Sequence, residues 1–183
     1  MLSKLYFPDD KKIISVMVDV SFSELNILCN PLNKIEITIP LPFIDTGNCP
    51  LPCFPTSSIV SDLFGKKNNV FIVNSETGLN AHFAVSAMAS VILHQAQISS
   101  KWLSHFTNDK NNSETYVLKM LGEYLISVSE NNKIDLYDAL DALNTSGGLN
   151  QTLRKHMEKS GLSNDLIIGL DNLRERLKLP LKY

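Results

Sequence analysis

Little in this chain ties it to the commonest partners or catalytic classes. No apolar run approaches the roughly 18 residues of a membrane-spanning helix. The opening "MLSKLYFPDDKKIISV" carries charges where a secretory leader needs an apolar stretch. There is no block of one charge either: 17 Lys and Arg stand against 19 Asp and Glu, a net charge of −2, which argues against nucleic acid or a membrane surface as partner. Cysteine is scarce and odd in number. Cys49 and Cys53 lack the second ligand pair of a zinc site, so with Cys29 they are expected as reduced thiols of a cytoplasmic protein. His82, His94, His105 and His156 form neither an i, i+4 pair nor an H-E-x-x-H, and no metal is expected. No G-x-S-x-G elbow, P-loop or G-x-G-x-x-G occurs.

What is present suffices for a core. At 183 residues and 44% hydrophobic content the chain suits one domain or one and a half. "KIISVMVDV" is a β-branched run of strand length, and "KIEITIP" at 34–40 alternates isoleucines as a second strand. Between them Ser21 or Ser23 can cap a short helix carrying Leu25 and Leu28, ended by Pro31. This strand, helix, strand order implies parallel pairing. Five of the chain's eight prolines follow between Pro40 and Pro55, which predicts an extended or turning connector. "SSIVSDLFGKK" then reads as a short helix closed by Gly65, and "NVFIV" at 69–73 as one more strand.

From Leu79 onward the period becomes helical. Residues 79–106 predict one long helix with a stripe of Met88, Ile92, Gln95, Ile98, Trp102 and Phe106. Ala84, Ala87, Ala89, Ser90, Ala96 and Ser99 supply small side chains for close helix approach. Four further helices follow, marked by Val117, Leu121, Tyr124 and Val128; by Leu136, Leu140 and Leu143; by Leu149, Leu153 and Met157; and by Leu162 to Leu177 with Ser163 as N-cap. The stripes suit a core or, for some of them, a homodimer interface.

The stretch "ALNTSGGLNQTL" holds the only Gly-Gly pair. One role is to end a helix near Leu143 with a left-handed residue. Another is to open the next helix at Gly148, where free N–H groups and the positive dipole end favour a carboxylate or phosphate.

The order "IISVMVDVS", helix, "IEITIP", proline-rich connector, "LFG", "VFIV", "HFAVSAMASVIL", then "DALNTSGGLNQTLRKHMEKSG" resembles pyrroline-5-carboxylate reductase over residues 10–178. It resembles most closely the reductase-like branch, whose last motif reads Thr-Pro-Gly-Gly-Leu-Asn. The resemblance implies an α+β, mostly α fold: the end of a Rossmann-type parallel sheet of about three strands, then a bundle of about five helices. Residues 1–75 would be the cofactor-domain remnant with the proline-rich connector, and residues 76–183 the helical dimerisation and substrate domain. It also implies an NAD(P)H-dependent oxidoreductase reducing the C=N bond of a cyclic imine carboxylate in proline biosynthesis, with NADP or NAD as cofactor and a homodimer through the C-terminal helices.

By the same resemblance Thr145, Gly147, Gly148 and Asn150 lie at the imine's carboxylate, Ser86 or Ser90 hydrogen-bonds the ring, and Pro40 and Leu41 stand near the nicotinamide. Glu76, just before the long helix, suits a first-turn charge favouring the dipole. Ser146 replaces the family's proline, and residues 1–40 match only the end of the cofactor domain. Two readings follow: the C-terminal portion of such an enzyme, or a non-catalytic dimerisation or small-molecule-binding module derived from one.

Overall fold

The computed structural model describes residues 7–29, 33–130 and 135–180. It separates into two compact units, residues 1–86 with 170–183, and residues 87–169.

In the first unit, β1 (Lys12–Ser15), α1 (Phe22–Leu28) and β2 (Lys34–Thr38) form the expected strand, helix, strand unit, and β1 pairs with β2 in parallel. Ser21 caps α1: its hydroxyl accepts from the Glu24 N–H while the Glu24 carboxylate accepts from the Ser21 N–H, a capping box. The helix stops at Leu28, with Cys29 as C-cap. Pro31, expected to end it, lies outside the described residues.

The sheet then departs from a three-strand parallel remnant. A strand, β3 (Pro50–Phe54), runs inside the proline-rich connector, antiparallel to β2 and parallel to β4 (Asn69–Ile72), giving a four-stranded mixed sheet in the order β1-β2-β3-β4. Proline removes a ladder donor and argues against an interior strand. Here the ladder to β2 reaches only Phe54 and Cys53, and Pro50 and Pro52 fall beyond it.

Alternation divides the side chains between two cores. Ile35, Ile37 and Ile39 face α1 and join Leu25, Cys29, Val73 and Leu79. Leu51, Cys53 and Cys49 pack with Val60 of α2 (Ser58–Phe64). All three cysteines are free thiols and buried. Burial pushes the Cys29 and Cys53 thiols up, which keeps them protonated.

The single long helix expected over residues 79–106 is two helices, α3 (Glu76–Ser86) and α4 (Met88–Thr107). At the join, the Ser86 hydroxyl donates to the Phe83 carbonyl at 2.7 Å, a local bond of the kind that bends helices. The second unit holds α4 and α5 (Lys110–Glu130), a hairpin turned by Asn108 in the left-handed region at φ +52°. The residues these two helices bury are Ala96 and Ser100 of α4 and Ser113 and Val117 of α5, three of the four small. The stripe anticipated as core is instead largely in solvent, with Trp102 64% and Phe106 71% exposed.

The remaining helices, α6 (Leu136–Ala142), α7 (Leu149–Lys159) and α8 (Leu162–Asp171), bury little: Ala139 of α6 alone is buried among them. Ser163 falls inside α8 rather than capping it, and α8 ends at Asp171, six residues short of Leu177. There the N–H of Arg174 bonds the Asp171 carbonyl and its guanidinium bonds the Asp171 carboxylate, closing a tighter turn. No helix among the described residues is long and apolar enough to cross a membrane.

Candidate functional site

The glycine pair does not end α6. That helix closes at Leu143 with ordinary right-handed φ and ψ, and the glycines build a separate turn that launches α7. The Gly148 N–H donates to the Thr145 carbonyl at 2.8 Å, making a four-residue turn across residues 145–148. Its third residue, Gly147, has φ +69°, the left-handed value that a type II turn requires there. Gly148 is needed for space: a Cβ would lie 3.0 Å from the Thr145 carbonyl oxygen and 3.1 Å from its Cβ. Two glycines thus meet two different demands.

Gly148 is the N-cap of α7, in extended conformation and without a side chain to cap the helix. Gln151, in the first turn, reaches back to accept from the Gly147 N–H at 3.1 Å, outside the helix proper. The turn thereby presents the N–H groups that open α7, at the positive end of the dipole. Arg154, one turn further, ties the hairpin together. Its guanidinium donates to the Asn144 side-chain oxygen at 2.6 Å and to the Leu140 carbonyl at 3.4 Å, one of the last carbonyls of α6. Asn150 and Arg154 line a shallow groove of about 230 Å³ with Leu140, Leu143, Asn144 and Leu153.

Thr145, Gly147, Gly148 and Asn150 are therefore contiguous on one loop and helix start. The other anticipated residues are spread over the chain. Ser86 closes α3 in the first unit with its hydroxyl bonded to Phe83, whereas Ser90 is an exposed residue of α4 in the second. Pro40 is exposed just past β2, and Leu41 packs against both cores of the first unit.

Three carboxylates cap helices, and of them only Glu76 is among the residues the sequence singles out. Glu36, on β2, is 1% exposed and takes four hydrogen bonds: from the Thr56 and Ser58 hydroxyls at 2.7 and 3.0 Å and from the Ile59 and Val60 N–H groups at 3.0 and 2.9 Å. It serves as the missing N-cap of α2, whose Ser57 makes no side-chain cap bond. Burial pushes this carboxyl up, but the four donors together outweigh burial and hold it below the ordinary carboxylate value. Glu76 accepts from the Phe22 N–H at 2.6 Å, so α1 carries two anionic caps, Glu24 and Glu76. Glu24 is lowered to about 2, first by the Ser21 hydroxyl and backbone and then by Lys178. A signal for Glu36 existed in the sequence: a lone carboxylate among the isoleucines of "KIEITI" demands a buried partner.

No family model matches this sequence, and no curated protein matches it. Solved structures do. The chain is similar to 1-pyrroline-5-carboxylate reductase from the human pathogen Streptococcus pyogenes, with a TM-score of 0.81 at 18% identity over 97% of this chain and 71% of that one. It is similar to the pyrroline carboxylate reductase of Plasmodium falciparum with NADP bound, at TM-score 0.78 and 14% identity over 92% of this chain and 70% of that one. It is also similar to a pyrroline-5-carboxylate reductase from Coxiella burnetii, at TM-score 0.76 and 16% identity over 91% and 64%. The fold is that of these reductases.

Proposed function

We propose that this chain carries the substrate-holding part of an imine reductase of the pyrroline-5-carboxylate reductase type. The observation that supports the reading most is the Thr145 to Asn150 turn, which opens α7 without a side-chain cap in a chain with the fold of those enzymes. The free N–H groups and dipole of α7 would hold the carboxylate of a small cyclic imine. Gly147 and Gly148 would shape that cradle, with the Thr145 hydroxyl and the Asn150 amide as further polar groups at the substrate. Ser86 or Ser90 would bond the ring.

The family's cofactor, NADP or NAD, fits this chain only in part. Pro40 and Leu41, past the end of β2, would flank the nicotinamide, which supplies the hydride when bound. The pyrophosphate does not fit. No G-x-G-x-x-G stands in the 183 residues, and α1, the helix that follows the first parallel strand, has its N-terminus occupied by Glu24 and Glu76. Two carboxylates repel a phosphate where a dinucleotide-binding helix attracts one. No hydride step is therefore derived from these residues.

A second reading is favoured by the same mismatch and by the exposed apolar face of α4: a dimerisation or small-molecule-binding module derived from such an enzyme. Ile98, Trp102 and Phe106 share one stripe of that helix and are each at least half exposed, and a second copy would cover them. The buried, protonated thiols suit a cytoplasmic protein.

Calorimetric titration of NADPH, with NADH alongside, into the purified chain separates the readings. Saturable micromolar binding followed by turnover of pyrroline-5-carboxylate upholds the reductase. No heat at millimolar cofactor, with self-association in sedimentation, leaves the module.

A further inference from the structure

After α8 the chain returns to the first unit and lies beside the β1–α1 connection. Residues 171–180 form a string of tight turns, closed on themselves by Arg174, which bonds the Asp171 carboxylate and the Pro180 carbonyl. Three contacts fasten the string. Leu177 is 5% exposed, Arg176 pairs with Asp19 through two bonds at 3.2 and 3.3 Å, and Lys178 meets Glu24 at 3.2 Å. Between the string and the body of the unit lies a cleft of about 140 Å³, walled by Asp19, Ser21, Glu76 and Asn80 on one side and Arg176, Leu177 and Lys178 on the other.

The place and the fastening together suggest a role. This cleft lies at the connection leaving the carboxyl end of β1, the edge strand of the sheet. Both ion pairs are solvent-exposed, so they contribute little and are screened by salt. Attachment falls chiefly on one buried leucine. The caps of α1 do not depend on the string, because Ser21 and Glu76 bind it from the body of the unit.

We propose that residues 171–180 are a releasable strap gating this cleft, and that they detach while the sheet beneath stays folded. Release uncovers Ser21, Glu76 and Asn80, which are half-buried while the strap is in place. The inference does not depend on the reductase reading.

Hydrogen exchange on the full chain, read by mass spectrometry, tests it. In Leu177→Ala, amides of residues 172–179 should exchange about thirtyfold faster, equivalent to about 2 kcal/mol at 1.4 kcal/mol per factor of ten, while β2 and α2 keep their rates. In Arg176→Gln/Lys178→Gln, which opens no cavity, the strap should exchange a few-fold faster and lose the acceleration that 0.5 M NaCl produces in the parent. A thiol placed in the cleft, Asn80→Cys, should label slowly in the parent and about thirtyfold faster with Leu177→Ala. Equal acceleration of β2 and α2 would make the string part of one cooperative core and overturn the proposal. So would labelling of Asn80→Cys at the rate of a free thiol with the strap intact.

Discussion

Glu36 gives the sharpest test of how the first unit is held. Replacing it with glutamine keeps the shape and removes the charge. The amide oxygen can still accept from the Ile59 and Val60 N–H groups, and the Thr56 and Ser58 hydroxyls can turn to accept from the new NH₂. What is lost is charge assistance on four bonds and the favourable anion at the start of α2, together about 2 kcal/mol. Glu36→Ala goes further, leaving two buried N–H groups without their acceptor, and should cost about 3–5 kcal/mol. The thiols supply the assay, because Cys29, Cys49 and Cys53 are all buried in the first unit. Labelling with a pyridyl disulfide across a urea series reports the opening of that unit alone. With a slope of about 2 kcal/mol per molar urea, Glu36→Gln should lower the midpoint by about 1 M. The sign with pH follows from the lowered carboxyl. A group whose folded pKa is depressed stabilises above its unfolded pKa and loses that stabilisation as pH falls through the folded value. The gap between parent and Glu36→Gln should thus be constant from pH 6 to 8 and narrow below about 4. Equal midpoints at pH 7, or a gap that persists at pH 3, would refute the capping argument.

The turn before α7 should respond differently to its two glycines. Gly147→Ala meets open space but a left-handed backbone, costing about 1 kcal/mol, whereas Gly148→Ala forces the Thr145 backbone to give way and should also weaken carboxylate binding; Trp102 fluorescence in urea reads the first, and calorimetry with L-proline as carboxylate probe reads the second. Arg154→Met should cost about 1 kcal/mol by leaving the Asn144 side-chain oxygen without its guanidinium donor, with Arg154→Lys recovering only part, in the same fluorescence assay. Glu24 should titrate by NMR with a midpoint of about 2, and Ser21→Ala should raise it toward the ordinary range. If α4 carries a self-association face, Trp102→Asp should shift sedimentation toward the monomer without changing helix content.

Local signals in the sequence are legible where they come from neighbours along the chain. The Ser21 cap, the parallel strands around α1 and the helix starting after Gly148 all follow from residues a few positions apart. What escaped was set by distant partners. β3 hid among prolines because what makes a strand of it is the partners on either side, Asn69 to Ile72 on one and Ile37 and Thr38 on the other. The periodicity of Ile98, Trp102 and Phe106 correctly indicates a helix, yet nothing in a stripe says whether its own chain covers it, and here the small residues Ala96 and Ser100 take the packed face. The glycine pair was ambiguous for a related reason: a cap for α6 and a turn before α7 ask for the same residue, and only Gly147's position four residues past Leu143 decides.

The helix starts themselves carry the functional argument one step further. The N–H groups opening α1 are taken by Glu24, Ser21 and Glu76, those of α2 by Glu36, and those of α3, α5 and α6 by Ser75, Asp109 and Asp135. Each of these ends is satisfied by a side chain of the chain itself, four of the five by a carboxylate, which leaves an incoming anion repelled and without donors. At α7 the N-cap is a glycine with nothing to offer, and the one side chain in reach, Gln151, is turned to Gly147. An anion approaching α7 meets donors that Gly148 leaves free, on a turn whose two glycines keep side chains out of its way. The same reasoning that removes α1 as a phosphate site therefore favours α7 as the carboxylate site, and L-proline binding unaffected by Gly148→Ala would remove the helix start to which the reductase reading appeals.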